Sequence, residues 1–263
     1  LVSSVVSVTR GSSQIVVGNV LGANLSNLLF VMGAVAVAAA RPIRLGEQYI
    51  MIDLHFLLGS AFLLAMALRD GTLGRVEGGF LLAGYAVYVL YLMKEGRTDA
   101  DLSIGGGASG RRPRRLAPMD LAVLAVTAVL IYLGARYTIS SLETISRLAG
   151  VPPAIVALTL LSLGTTLPEL VVSATAARAG KADVAVGNIL GSCVFNALAV
   201  AGTASLVGPV TAPEDMLSLP LPVYGASAML FYLLTLDKRV SVWEGLLFLL
   251  LYGLFIMEVA RLV

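Results

Sequence analysis

One carboxylate, Glu169, stands in an otherwise uncharged run between Arg147 and Arg178, in the string Gly164-Thr165-Thr166-Leu167-Pro168-Glu169. A charge at the centre of a membrane helix costs about 2.5–3.5 kcal/mol on insertion scales. Such a charge needs a bound cation or a buried partner. Pro168 has no N–H, and its ring clashes with the carbonyl of Gly164, so the helix is expected to break or bend there. Carbonyls near Ser162 to Thr165 would then leave the hydrogen-bond ladder. Non-helical backbone at that depth survives where it is buried or lines a polar cavity. Those carbonyls, the hydroxyls of Thr165 and Thr166 and the Glu169 carboxylate make a set of hard oxygens. Ca²⁺ takes about six to eight oxygens in flexible geometry, and Na⁺ accepts fewer of the same kind. The competing reading is a proline kink with Glu169 paired to a base, but neither this span nor its neighbour carries Lys or Arg.

The next span supplies a matching wall. Asn188, Ser192 and Asn196 recur every fourth residue, on one helical face. Gly187 and Gly191 form a small-xxx-small strip that admits another helix closely. An upstream copy has Asn19, Ala23 and Asn27, with Gly18 and Gly22. Either feature alone is ordinary helix packing, and Asn19 and Asn188 suit interhelical hydrogen bonds equally well. Their joint recurrence beside an acidic, proline-interrupted helix points to a cation site.

The elements that must hold these residues are membrane spans. The chain is 58% hydrophobic and 13% charged, against about 25% charged in soluble domains. Uncharged runs of about 20 residues predict spans near 15–40, 49–68, 78–93, 119–140, 154–177, 184–206, 216–236 and 241–260, after a stub at 1–9. A soluble helical core is excluded because no amphipathic helices remain to cover it. Cys193, the one cysteine, lies mid-span and reads as a small packing residue. His55, the one histidine, lies near Asp53, and two such groups make no metal cage, so packing or an interfacial place is expected. Trp243 and the tyrosines suit interfaces. The net charge of +2 gives no basis for a nucleic-acid partner.

Shifted by 169 residues, the chain matches itself at thirteen of 33 positions without a gap. Gly11 falls on Gly180, Gly18-Asn19 on Gly187-Asn188, Gly22 on Gly191, Asn27 on Asn196 and Gly33 on Gly202. The second copy is the fifth span after the first, so it runs the opposite way. This is an inverted-topology repeat, an architecture of secondary transporters. Residues 1–93 and 119–263 form the two halves. Residues 94–118, Gly-rich with Lys94, Arg97, Arg111, Arg112, Arg114 and Arg115, read as a flexible cytoplasmic linker. Its basic cluster could also touch anionic membrane lipid. That placement puts 12 Lys or Arg inside and 6 outside. The offset would place a twin of Glu169 just before Leu1. The sequence therefore reads as a fragment whose parent has a further span and a second acidic motif.

At these residues the chain resembles the cation/calcium exchanger superfamily, and its bacterial calcium/sodium antiporter branch in particular. Gly164 to Leu170 and Gly187 to Asn196 are similar to that family's second signature repeat, and residues 1–33 to a front-truncated first repeat. The resemblance implies an all-α integral membrane protein of ten helices in two inverted five-helix halves, with the N-terminal one and a half absent here. Its four central helices would be the stub, 15–40, 154–177 and 184–206. The family's acidic ligand falls on Glu169, its hydroxyl and carbonyl ligands on Ser162, Thr165 and Thr166, and its neighbouring polar ligands on Asn27, Asn196 and Ser192. Span 119–140 falls on one of two outer helices whose movement exposes the site to alternate sides. Three departures stand out: the first-repeat glutamate is absent, Ala23 replaces a serine, and Asn196 occupies a frequent aspartate position. A complete site would carry about two negative charges, matching one Ca²⁺ or two Na⁺.

The implied activity is Ca²⁺/Na⁺ antiport by alternating access in a bacterial inner (plasma) membrane, with no cofactor and no enzyme activity. The alternative is a Ca²⁺ exchanger coupled to H⁺ through its glutamates. A passive channel is a further alternative. A membrane-embedded hydrolase would need a buried dyad or metal cluster, and the one histidine lies far from the serines of the repeats. No nucleotide-binding motif occurs. Oligomeric state is left open.

Overall fold

The computed structural model describes residues 1–39, 42–45, 47–103 and 118–262. Among them the chain forms α1 (Val2–Thr9), α2 (Gln14–Ala38), α3 (Glu47–Ala67), α4 (Arg75–Ser103), α5 (Pro118–Ala149), α6 (Pro153–Arg178), α7 (Ala182–Val207), α8 (Glu214–Leu234) and α9 (Val242–Ala260). Every predicted span is a helix, and the stub is α1. Six of the helices are long and apolar enough to cross a membrane: α4 over Arg75–Lys94, and α2, α6, α7, α8 and α9. The protein is an all-helical, multi-pass membrane protein. Helix α4 continues to Ser103, into the segment expected to be a linker, and residues 104–117 lie outside the described residues.

Burial sorts the helices. In the apolar window of α2, 83% is buried, against 61% in α7 and 17% in α4. Helix α2 is therefore the axis of the packed core, and α4 is peripheral. Phe80, Val87, Leu90 and Leu250 are exposed, and an apolar exterior of this kind marks a lipid-facing surface. Trp243 is exposed at the start of α9, beside the Ser241–Glu244 capping box. His55 is exposed and meets Tyr232 edge-on at 6.0 Å, a packing contact as expected. Cys193 is fully buried among core residues.

Four two-residue strands show the inversion directly: β1 (Ile43–Arg44), β2 (Thr72–Leu73), β3 (Val210–Thr211) and β4 (Arg239–Val240). β1 pairs antiparallel with β4, and β2 with β3. Helix α3 runs from the β1/β4 side to the β2/β3 side, and α8 runs back. Helix α2 ends next to β1, whereas its repeat copy α7 ends next to β3. The two copies thus point in opposite directions. The offset of 169 also holds for backbone geometry. Gly11 and Gly180, the turn residues before α2 and α7, have φ of +77° and +73°, where a side chain would be strained. Segments Ser26–Val31 and Phe195–Val200 are both π-helical.

Two expectations are corrected. Helix α6 does not break at Pro168: it is helical throughout Ser162–Arg178, and its irregular stretch is a π-helical turn at Ala157–Leu161. Threonine hydroxyls bond the helix backbone in the turn before the proline. Thr165 Oγ1 donates to the Ser162 carbonyl (2.9 Å) and Thr166 Oγ1 to that of Leu163 (3.1 Å). In membrane helices, side-chain hydroxyls and local π adjustments re-satisfy backbone groups beside a proline. The glycine strips also differ between copies. A Cβ on Gly18 would lie 2.1 Å from the Ala154 carbonyl oxygen, and one on Gly22 2.1 Å from that of Leu158. These two glycines let α2 touch α6 backbone to backbone. Gly187 has nothing within 4 Å, and Gly191 meets only the Tyr88 hydroxyl, at 3.8 Å.

Candidate cation site

The helices that carry the predicted residues, α6, α7 and the π-helical turn of α2, cross one another. Glu169 is half-buried on α6. Its Oε1 accepts a hydrogen bond from Ser192 Oγ on α7 at 3.4 Å. Its Oε2 is buried and has no hydrogen-bond partner among the described residues. Among the described residues Glu169 makes no ion pair, and the pairs Arg239–Asp237 and Arg261–Glu258 lie elsewhere. A buried, unpartnered carboxylate oxygen has a large desolvation cost. It is an anionic oxygen donor in an apolar helix.

The other predicted donors differ in burial. Ser162 is fully buried, and its hydroxyl donates to the Leu158 and Thr159 carbonyls, leaving its lone pairs as acceptors. Thr166 is buried, while Thr165 is exposed. With its hydroxyl proton committed to the helix, Thr165 opens onto a cavity of about 590 Å³ lined also by Tyr137, Thr138, Ser141 and Gly164. Ser192 and Asn196 are half-buried on α7. Asn27 is fully buried on α2, and among the described residues both its side-chain oxygen and nitrogen lack a hydrogen-bond partner of normal geometry. Among the described residues no three His, Cys, Asp or Glu side chains cluster. The donor set is therefore one carboxylate with neutral hydroxyl and amide oxygens. Hard cations such as Ca²⁺ and Na⁺ take such oxygens, whereas soft or imidazole-binding metals do not favour them.

Not every residue of the polar stripe points at the site. Asn188 Nδ2 donates to Ser173 Oγ (3.1 Å) and lies 3.5 Å from the Glu169 carbonyl oxygen. It fastens α7 to α6 and so fixes the height of Glu169. Asn24 belonged to no predicted stripe, yet its Oδ1 accepts from Asn196 Nδ2 at 3.3 Å. A polar residue three places before Asn27 in an apolar helix was the only available signal. The three π-helical turns carry or adjoin Asn27, Asn196 and Ser162. Such turns are frequent at functional sites, but they leave no mark in composition.

Comparison with known proteins bears on the family and the fold. The family described as "Sodium/calcium exchanger protein" matches residues 1–94 and 119–259. The chain belongs to that family. The putative antiporter CaxA of Alkalimonas amylolytica is 27% identical over 92% of this chain and 77% of its own length. Inner membrane protein YrbG of Escherichia coli is 27% identical over 74% of this chain and 61% of its own. The sodium/calcium exchanger MaX1 of Methanosarcina acetivorans is 32% identical over 52% of this chain and 39% of its own. The chain thus spans under two thirds of the latter two relatives. A crystal structure of the sodium-calcium exchanger NCX_Mj, soaked with zero Na⁺ and Ca²⁺, superposes with a TM-score of 0.68 at 23% identity, covering 99% of this chain and 80% of that one. At that identity the likeness establishes the exchanger fold.

Proposed function

We propose that this member of the sodium/calcium exchanger family is a cation/calcium antiporter of a bacterial inner membrane. It exchanges Ca²⁺ for Na⁺ by alternating access at the Glu169 site. The observation that carries the reading is the buried Glu169 Oε2, which has neither hydrogen bond nor ion pair among the described residues. The printed names of CaxA as an antiporter and MaX1 as a sodium/calcium exchanger support it, and none of the relatives named above carries an enzyme's name.

A permeating cation would take the place of the missing partner. Glu169 supplies the charge, and Ser162, Thr165, Thr166, Ser192, Asn27 and Asn196 supply neutral oxygens. Ca²⁺ and Na⁺ compete because both need the same carboxylate. Rearrangement of an emptied site would leave that carboxylate buried and uncompensated, at a cost of several kcal/mol. Only a filled site crosses readily, and downhill entry of one ion then drives the other out. Helix α5 is suited to the moving part. It packs chiefly on α1 and the start of α6, and the cavity beside Thr165 separates it from the rest of α6.

Ca²⁺ uptake into proteoliposomes holding the purified protein tests this. Uptake is expected when the vesicles are loaded with Na⁺ at equal pH on both sides. Uptake driven by a pH gradient without Na⁺ would replace Na⁺ by H⁺ as coupling ion. Flux needing no counter-ion would mean a channel. Ser192→Ala removes the hydroxyl that hydrogen-bonds the carboxylate. It is expected to raise the half-saturating Ca²⁺ concentration about five-fold in the same assay.

A further inference from the structure

Asn24 and Cys193 are equivalent under the 169-residue offset, as are Asn27 and Asn196. Each asparagine of the candidate site meets the residue at the 24/193 position of the opposite half. The two meetings differ. Asn196 Nδ2 donates to Asn24 Oδ1 at 3.3 Å. Asn27 faces the Cys193 thiol at the margin of hydrogen-bond range, and among the described residues neither its Nδ2 nor its Oδ1 has a partner of normal geometry. The thiol is turned instead toward the Asn24 carbonyl oxygen, at 3.9 Å. Asn24, Asn27 and Cys193 are all fully buried.

We propose that Asn24 is a positioning residue that clamps the Asn196 amide with its oxygen toward the Glu169 site, while Cys193 leaves the Asn27 amide free to turn. This inference rests on the cation-site reading given above. An amide head is planar, so fixing its nitrogen fixes the direction of its oxygen. Asn196 therefore presents a pre-set ligand, without reorientation when a cation arrives. Asn27 has at most a weak anchor, because a thiol is a weak acceptor. Its head can rotate to offer oxygen in different directions. One rigid arm and one adaptable arm suit a site that must accept two cations differing in charge and ligand number. Asn24 acts through Asn196 and does not itself touch the ion.

Three variants test the asymmetry by equilibrium Ca²⁺ binding to the purified protein and by Ca²⁺ exchange in proteoliposomes. Asn24→Leu removes the clamp. It is expected to raise half-saturating Ca²⁺ about five- to ten-fold while maximal exchange stays within about two-fold of the parent. Asn24→Asp keeps the shape and the acceptor and is expected to bind as tightly as the parent or tighter. Cys193→Asn supplies the missing acceptor to Asn27. It is expected to tighten Ca²⁺ binding about five-fold and to slow maximal exchange, because release now breaks a second fixed arm. The inference is overturned if Asn24→Asp binds no better than Asn24→Leu, or if Cys193→Asn leaves binding unchanged. Should Asn24→Leu fail to fold, Cys193→Asn alone decides. A parent protein that binds no Ca²⁺ rejects the cation-site reading itself. A parent that binds while all three variants match it rejects only the positioning roles.

Discussion

Glu169→Gln is expected to abolish Ca²⁺ uptake while leaving expression and thermal stability close to the parent's. The two side chains are nearly the same size, and glutamine still offers an oxygen to Ser192 Oγ, which lies 3.4 Å from Oε1 in the parent. What changes is charge. The remaining donors, from Ser162, Thr165, Thr166, Ser192, Asn27 and Asn196, are neutral, so this segment would hold a divalent cation with no countercharge. Removing one member of a buried charge pair costs about 3–5 kcal/mol, a loss of about a hundred-fold or more in affinity. Stability should move the other way or not at all, because the variant no longer buries an unpaired carboxylate oxygen. Loss of uptake with an unchanged melting temperature is the expected pair of results. Normal uptake would remove Glu169 from the transport site. Loss of both uptake and folding would assign it a structural role.

The sequence made the repeat legible because its landmarks are positions that chemistry restricts. Gly11 and Gly180 sit at positive φ, where other residues are strained, so both copies retain glycine. Asn27 and Asn196 recur because a polar group in an apolar helix is costly unless something uses it. The inversion followed from counting spans, and the β1–β4 and β2–β3 pairings confirm it. The local backbone was not legible. A proline at 168 predicts a broken helix, yet the helix runs through it, and the hydroxyls of Thr165 and Thr166, which the sequence offers only as ion donors, also give their protons to the backbone. The packing partners of the glycines were equally hidden. Gly18-xxx-Gly22 and Gly187-xxx-Gly191 look alike in sequence, yet only the first pair touches another backbone.

That contact sets the second large effect. Gly22→Ala is expected to destabilise the fold by about 3 kcal/mol or more and to weaken Ca²⁺ binding at the same time. The added Cβ would lie 2.1 Å from the Leu158 carbonyl oxygen and 2.7 Å from Ser162 Oγ. Ordinary contact between heavy atoms is about 3.5–4.0 Å, so α2 and α6 would have to separate by about 1 Å or more. No side-chain rotation relieves this, because the nearest obstacle is backbone. Leu158 lies within the π-helical turn, and its carbonyl accepts the Ser162 hydroxyl. Displacement there moves Ser162 and shifts the Asn27 face of α2 relative to Glu169. Gly253→Ala is the matched control, since a Cβ there meets nothing within 4 Å and alanine favours a helix. In detergent the melting temperature of Gly22→Ala should fall by about 5 °C or more, while Gly253→Ala stays at or above the parent. If both alanines melt like the parent, α2 and α6 do not meet backbone to backbone, and the crossing that assembles the cation site is wrong.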